Sequence, residues 1–461
     1  MSSIILATLN AKYIHASLGL RYLAANMARH GGAHLRERTL VREFIIQQKP
    51  QEIVEQLLGL NPAVIGFGVY IWNVVETTQI VRLLKALRPD IKIVLGGPEV
   101  SFEVDEQEIC VLADHIITGW GDVSFPKLCK ALLDGPQPLM KVIMGEQPEL
   151  DAISMPYEEY TDEDLKQRLL YVEASRGCPF KCEFCLSSLD KTAWPFELDA
   201  FMAQMDRLYR RGARHFKFVD RTFNLKIDNS VRILQFFLDR MSDDLFVHFE
   251  VVPDVLPERL KVLIQQFPPG ALQFEVGIQS FNVEVQKRIS RKQDNDKTAD
   301  NLRWLLTESQ AHLHTDLIFG LPGETLESFA AGFDRLHALQ PHEIQFGILK
   351  RLRGTPIARH TQEFAMVYDP QTPYQILQNS TIDFATLQRI NRFARYWDVV
   401  ANSGRFAQAM VLLLDGESAF FNFLRFSDWL YARTRKTHEF ALERLVDLLF
   451  VHLTEDRRLD I

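Results

Sequence analysis

The sequence predicts an α/β protein built as a doubly wound sheet, a partial α/β barrel and a helical tail. Three observations carry that reading. Short apolar runs alternate with amphipathic ones along residues 1–134, the pattern of parallel strands joined by helices. A second strand–helix series fills residues 169–358, and from residue 359 glycine-ended strands give way to helical periodicity. The length agrees, because 461 residues exceed what one hydrophobic core organises.

In the first unit, "IILATL" (4–9) reads as a buried strand and "LGLRYLAANMARH" (18–30) as a helix. "HLRERTLVREF" reads as a strand, "PQEIVEQLLGL" (50–60) as a helix opening on Pro50, and "AVIGFGVYIW" (63–72) as a strand rich in β-branched and aromatic residues. The helix "VVETTQIVRLLKALRP" leads to "KIVLGGP" (92–98), and "HIITGWGD" (115–122) closes the series. Such alternation makes a Rossmann-like sheet, which takes ligands at its strand C-termini. Gly66, Gly68, Gly96, Gly97, Gly119 and Gly121 fall there. Each alone reads as a tight turn; together, at three strand ends, they favour a cofactor crevice. Residues 135–168, rich in proline and acids, read as a linker or wrapping segment.

The second unit offers "RLLYVEAS" (168–175), "HFKFVD" (215–220), "LFVHFEVV" (245–252), "ALQFEVGIQS" (271–280), "LHTDLIFGLPGE" (313–324) and "EIQFGIL" (343–349) as six strands. They make a partial or complete (β/α)6 barrel with its chemistry at the strand C-termini. In the tail, "ILQNSTIDFATLQRINRFARYWDVVA", "FNFLRFSDWLYART" and "EFALERLVDLLFVHL" read as amphipathic helices. Trp429, Tyr431, Arg433, Arg435 and Lys436 mix aromatics with cations as RNA-binding segments do. At helical spacing they read first as one packed and one solvated face.

Lys plus Arg number 52 against 60 Asp plus Glu, a net charge of −8, which argues against broad nucleic-acid binding. No apolar run has membrane-spanning length, and "MSSIILATLNAKY" lacks the basic start of a signal peptide. Five cysteines with three clustered make no disulfide framework, so the chain reads as cytoplasmic.

The cluster is "RGCPFKCEFC" (176–185), with Cys178, Cys182 and Cys185 on one short loop. Three thiolates hold a four-iron cluster with one iron left open for a chelating molecule. Zinc with a distant fourth ligand competes, but no His or Cys follows at finger spacing, His215 being the nearest. A Cys182–Cys185 redox pair leaves Cys178 unused.

This spacing, with Phe184 before the last cysteine and a strand before the first, resembles the signature of radical S-adenosylmethionine (SAM) enzymes. The resemblance implies a [4Fe–4S] cluster at Cys178, Cys182 and Cys185 and SAM chelating the open iron. It also implies an electron donor such as flavodoxin or ferredoxin, and cleavage of SAM to methionine and a 5′-deoxyadenosyl radical. "FKFVDRTFN" (216–224) resembles the segment that binds the SAM amino group, with Asp220, Arg221 and Thr222 as candidates, although the family's Gly-Gly-Glu is missing. "FEVGIQS" (274–280) resembles the segment at the SAM ribose and carboxylate, which implies roles for Glu275, Gln279 and Ser280. "DLIFGLPGET" (316–325) resembles the adenine segment, with Gly320, Leu321 and Pro322. "HFEVVPDVL" (248–256) adds Glu250 and Asp254 on the substrate side; Glu250 reads also as an ion-pair partner inside the barrel. For each polar residue the alternative is a barrel-mouth hydrogen bond that satisfies a loop.

"ASLGLRYLAAN" (16–26), "VLGGPEV" (94–100) and "TGWGDVSFPKL" (118–128) resemble the first-helix, glycine-pair and last-turn segments of cobalamin-binding domains. The whole chain is thus similar to cobalamin-binding radical SAM proteins of a branch with a C-terminal helical domain of unknown function. Many such domains place a cobalt-ligating His in Asp-x-His-x-x-Gly. In "NAKYIHASLG", His15 and Gly19 stand one residue too far apart and the Asp is missing. The resemblance therefore implies cobalamin held without a protein ligand on Tyr70, Trp72, Gly96, Gly97 and Gly119, with His15 the lesser reading. A domain that has lost cobalamin is the other alternative.

Three functions follow as expectations. The first is radical SAM chemistry coupled to cobalamin-dependent methyl transfer onto an unactivated carbon of a small-molecule or peptide substrate. The second keeps the radical and replaces methyl transfer by cyclisation, rearrangement or oxidation. The third is a non-catalytic metal or tetrapyrrole carrier.

Overall fold

The computed structural model describes residues 3–190 and 193–459. Strands β1 (Ser3–Asn10), β2 (Thr39–Ile45), β3 (Pro62–Gly68), β4 (Lys92–Gly96), β5 (His115–Thr118) and β6 (Val142–Met144) form one parallel sheet in the order β2-β1-β3-β4-β5-β6. From Ile4 to Asn10 every residue of β1 is buried, because helices cover both faces of such a sheet and a central strand has no solvent side. Helices Leu18–His30 and Ser124–Asp134 cover one face through Leu20, Met27 and Leu128; Pro50–Gly59 and Val74–Leu87 cover the other through Ile53, Leu57 and Leu84. The chain leaves β1 for β2 on one side and places β3 on the other. The resulting switch point opens a crevice at the strand C-termini.

Three expectations are corrected here. "HLRERTLVREF" is split, one helical turn at Ala33–Arg36 preceding the strand that begins at Thr39. The strand expected over residues 63–72 ends at Gly68. Tyr70 and Trp72 therefore lie in the loop beyond, where the Asn73 side chain accepts the Tyr70 N–H at 2.9 Å and donates to the Leu9 carbonyl at 3.0 Å. Segment 135–168 does more than link, since Val142–Met144 is the sixth strand and pairs with β5.

The second sheet holds β7 (Leu170–Val172), β8 (His215–Phe218), β9 (Phe246–Val251), β10 (Leu272–Gln279), β11 (His312–Phe319) and β12 (Glu343–Ile348). All are parallel and adjacent in chain order, with β7 and β12 as the two edges, so the barrel is partial. In β10 and β11 burial alternates residue by residue. Leu272, Phe274, Val276 and Ile278 pack outward, which puts Gln273, Glu275, Gly277 and Gln279 on the lumen side. The lumen is polar, and that polarity is where the chemistry lies.

In the tail, residues 376–378 form a strand paired with Val367–Tyr368, and the first helix begins only at Phe384, capped by Asp383, which accepts the Thr386 N–H at 2.8 Å. Helices Phe384–Trp397 and Ala419–Thr434 pack on the barrel through an aromatic cluster: Phe393 lies 4.8 Å from Phe346 and 4.9 Å from Phe420 between ring centroids. Trp429 and Tyr431 pack partly against this core while Arg433 and Arg435 lie over their rings, the packed-and-solvated arrangement. Among the described residues no helix is long and apolar enough to cross a membrane.

Candidate active site

The cysteine loop leaves β7 through Ser175–Arg176, which pair with Trp194–Pro195. Gly177, at φ +85°, makes a turn that disfavours a side chain. The Cys178 N–H donates to the Asp190 carbonyl at 3.1 Å, and the Ser188 hydroxyl bridges the carbonyls of Cys182 and Cys185 at 2.9 and 2.7 Å. All three cysteines line one cavity of about 250 Å³ at the strand C-termini, together with Phe184, Arg221, Thr222, Glu250, Glu275, Gln279, Arg291 and Asp316. Burial pushes the Cys178 thiol up to about 11 and raises Cys182. These thiolates therefore form when a strongly positive centre compensates them. A tetrahedral zinc ion, about 2.3 Å from each sulfur, would hold its sulfurs about 3.8 Å apart. Among the described residues the one group of three ligand atoms within 4.8 Å of one another is His312, His314 and Glu343. The three thiols do not form such a group.

The rest of the cavity is ionic. Arg221 reaches both oxygens of Glu250 at 2.6 and 2.8 Å. Glu275 lies 3.2 Å from His248 and 3.7 Å from Lys217; the His248 contact foremost holds its carboxyl down at about 2. Gln279 adopts φ +69° at a register shift in β10, a strained conformation for a non-glycine residue, of the kind that gathers at functional sites. Gly277 makes room, since a Cβ there would meet the Gln279 amide at 2.5 Å. The Arg291 guanidinium donates to the Gly277 carbonyl and approaches Cys182 Sγ at 3.7 Å. Asp316 presents a buried Oδ1 with no hydrogen-bond partner, and burial beside Glu275 raises its carboxyl to about 8.

Cys178, Cys182, Cys185, Phe184, Arg221, Glu275 and Gln279 thus come together, with Thr222 and Glu250. Asp220 does not join them: its carboxylate accepts the Ala174 N–H at 3.0 Å and the Ser175 hydroxyl at 2.6 Å, tying the end of β7 to that of β8. The Ser280 hydroxyl donates to Glu324 at 2.5 Å, and Asp254 accepts the Asp294 N–H at 2.9 Å. Gly320 backs onto Ile376, Leu321 is fully buried in the barrel core, and the Pro322 carbonyl accepts from Arg288 at 2.8 Å. These residues do not line the cavity; their side chains or backbone are engaged by neighbouring loops or by the core. Sequence reasoning passed over Arg291 and Asp316. Strand alternation from His312 puts Asp316 on the lumen side; Arg291 follows a helix in a loop with no periodic signal.

A second cavity, of about 350 Å³, occupies the switch-point crevice of the first sheet. Gly68, Gly96, Gly97 and Gly119 floor it, Tyr22, Tyr70 and Trp120 wall it, and Glu173 and Arg176 reach in from the barrel. Gly119 has φ +76°, and a Cβ there would project into open space with no atom within 4 Å. Arg176 pairs with Asp122 at 2.9 and 3.1 Å and with Glu173 at 2.9 Å, under the rings of Tyr22 and Trp120. The same residue stands two positions before Cys178, so one short segment borders both cavities. Trp72 is 47% exposed and stacks on Tyr70 at 4.4 Å outside the crevice. His15 also lies outside it: its Nδ1 is 2.8 Å from the Tyr171 hydroxyl, and its backbone bridges to Leu169. It joins sheet to barrel and does not line the crevice.

Known proteins agree with this layout. Residues 4–129 match the B12 binding domain, 172–336 the Radical SAM superfamily, and 362–459 a protein family of unknown function, DUF4080. An uncharacterized methyltransferase of Pyrococcus horikoshii is 25% identical over 336 residues, 66% of this chain and 70% of that protein. The cobalamin-dependent radical SAM methyltransferase TokK of Streptomyces tokunonensis is 24% identical over 65% of this chain, but the match spans only 47% of TokK. Among solved structures, the cobalamin-dependent SAM radical enzyme OxsB with aqua-cobalamin bound superposes with a TM-score of 0.67 at 15% identity, over 100% of this chain and 77% of its own. The methyltransferase TsrM from Kitasatospora setae gives 0.61 at 18% identity, over 78% and 76%.

Proposed function

The chain belongs to the radical SAM superfamily, carrying a B12-binding domain before the barrel and a DUF4080 domain after it, and we propose that it is a cobalamin-dependent radical SAM methyltransferase. The observation that carries this reading is the shared border: Arg176 walls the glycine-floored crevice and leads directly into the cysteine loop. The relatives named as methyltransferases support the same reaction class.

The residues fit the groups this chemistry needs. Three thiols face the first cavity, while Cys110 and Cys129 are buried in the sheet domain, so the protein supplies three ligands and leaves a coordination position for SAM. The unpartnered Asp316 Oδ1 and the ionic pair Arg221–Glu250 suit a zwitterionic, hydroxyl-bearing ligand such as SAM. The crevice is at the small end of ligand sites; it would enclose one part of a corrinoid, and no histidine lines it. When bound, the cluster supplies the electron that cleaves SAM, and cobalamin carries the methyl group.

The chain's own residues do the rest. Arg291 and Arg221 place positive charge beside the thiolates, Glu275 stays ionised through His248, and Asp316 holds a proton at neutral pH until a ligand engages it. Phe184 and the valines of β9's end keep water from the loop side. The substrate, a small molecule or peptide, enters between the two cavities, a flavodoxin or ferredoxin supplies electrons, and the five free thiols suit the reducing cytoplasm.

Anaerobic reconstitution tests this. The protein should hold about four irons as one cluster, form 5′-deoxyadenosine from SAM under reduction, and show a bound corrinoid spectrum with hydroxocobalamin. Cys182→Ala should lose cluster and cleavage; retention of both would overturn the radical reading. Absence of a corrinoid spectrum would overturn methyl transfer.

A further inference from the structure

One group of side chains in the barrel lumen has no part in the reaction described above. His312 and His314 open β11 and Glu343 opens β12. The two histidines, two apart on one strand, face the same side, and Glu343 lies in register with His314 on the neighbouring strand. Their ligand atoms lie within 4.8 Å of one another, and His314 Nε2 is 3.1 Å from the Glu343 carboxylate. Asp316, at the cysteine cavity, is two residues further along β11, about 7 Å of strand rise above His314. The trio thus sits deeper in the lumen, toward the strand N-termini.

We infer that His312, His314 and Glu343 form a binding site for a divalent transition-metal ion of the zinc or iron(II) class, separate from the cysteine cluster. Two imidazole nitrogens and one carboxylate oxygen are a donor set these ions share, leaving positions for water or a fourth ligand. Ordinary ion pairing accounts for His314 and Glu343 but gives no reason for a second imidazole in the same sphere. His312 is brought there by its strand and by stacking 4.5 Å from the His342 ring. His342 is itself oriented by the Leu313 N–H, which its Nδ1 accepts at 3.1 Å. The Gln273 amide lies 2.9 Å from His314 Nδ1 and 2.6 Å from its Nε2, and the Gln345 amide lies 2.9 Å from Nδ1. Such neighbours fix the rings of metal-bound histidines, and an amide presents nitrogen or oxygen by a half-turn. An ion here would cross-brace β11 to β12, the open edge of the barrel.

The test uses cluster-loaded full-length protein, stripped with a mild chelator and dialysed against zinc, with iron and zinc counted together. We expect about one zinc beyond the cluster irons, lost in His312→Ala and Glu343→Gln while iron is retained. Zinc should raise the melting temperature of the wild type but not of Glu343→Gln, which keeps a neutral hydrogen-bonding group at that position. Cobalt(II) in the same site should show d–d bands without thiolate charge transfer. No zinc uptake by the wild type, equal uptake by both variants, or thiolate bands from the added cobalt would each overturn the site.

Discussion

Asp220 stands where the superfamily resemblance puts a SAM contact, yet both its oxygens are taken by the end of β7. Burial, stronger than those two hydrogen bonds, lifts its carboxyl from 3.8 to about 7. A folded pKa above the unfolded one means that this group's contribution is fully present below about 3.8 and is lost as pH rises through 7. Asp220→Asn removes the titration. Relative to wild type it should gain stability between pH 4 and 8 by an amount on the order of a few kcal/mol, read from denaturant midpoints across that window. A difference independent of pH would show that Asp220 titrates normally. The same residue marks what sequence could reveal. Cys178, Cys182 and Cys185 were legible because spacing on one loop limits where sulfurs can go. Asp220, Ser280 and Asp254 make protein contacts in this structure, and sequence alone left their roles open because a polar residue at a barrel mouth serves a ligand or a neighbouring loop with equal ease, and only side-chain direction separates the two.

At the scale of elements, the cysteine loop is clamped from outside. Glu183, between Cys182 and Cys185, is 2% exposed. Its carboxylate accepts the Ser290 hydroxyl at 2.6 Å, meets His360 Nε2 at 2.7 Å and pairs with Arg359. Its backbone bonds Ile289 and Ile357 at 3.0 Å each. The loop is therefore fixed by the turn before Arg291 and by the segment Pro356–His360 that leads to the tail. Glu183→Gln keeps the shape and loses the charge. It should cost about 1.5–3 kcal/mol and speed loss of cluster iron to a chelator, measured by the fading of the cluster's visible absorbance; unchanged release would remove the clamp. Helix Leu18–His30, β10 and β11 are long enough to show a face, and the wholly buried β1 showed as an apolar run. Val142–Met144 and Ile376–Gln378 escaped because three residues carry no period, and their pairing comes from tertiary contact.

Across the whole molecule, arginine clusters hold the sheet domain to the rest of the chain, and two of them differ in what else they do. Arg353, from the segment after the barrel, pairs with Glu99 at 3.1 Å and Glu103 at 2.7 Å, with Arg351 also on Glu103 at 2.8 Å. Arg176 pairs with Asp122 and Glu173 while also walling the crevice. Removing either leaves buried acids unpaired, which costs about 3–5 kcal/mol where burial is complete and less where water reaches the pair. Both Arg176→Ala and Arg353→Ala should therefore lower the denaturant midpoint. They part in ligand binding. Corrinoid titration should weaken by about tenfold or more in Arg176→Ala, a loss of about 1.4 kcal/mol, because Asp122 and Glu173 then bring uncompensated charge to an otherwise apolar crevice. Arg353→Ala should leave corrinoid affinity near the wild type, since Glu99 and Glu103 do not line that cavity. Equal weakening in both would mean that domain closure, rather than the crevice wall, sets the affinity, and the border at Arg176 would then act as a hinge.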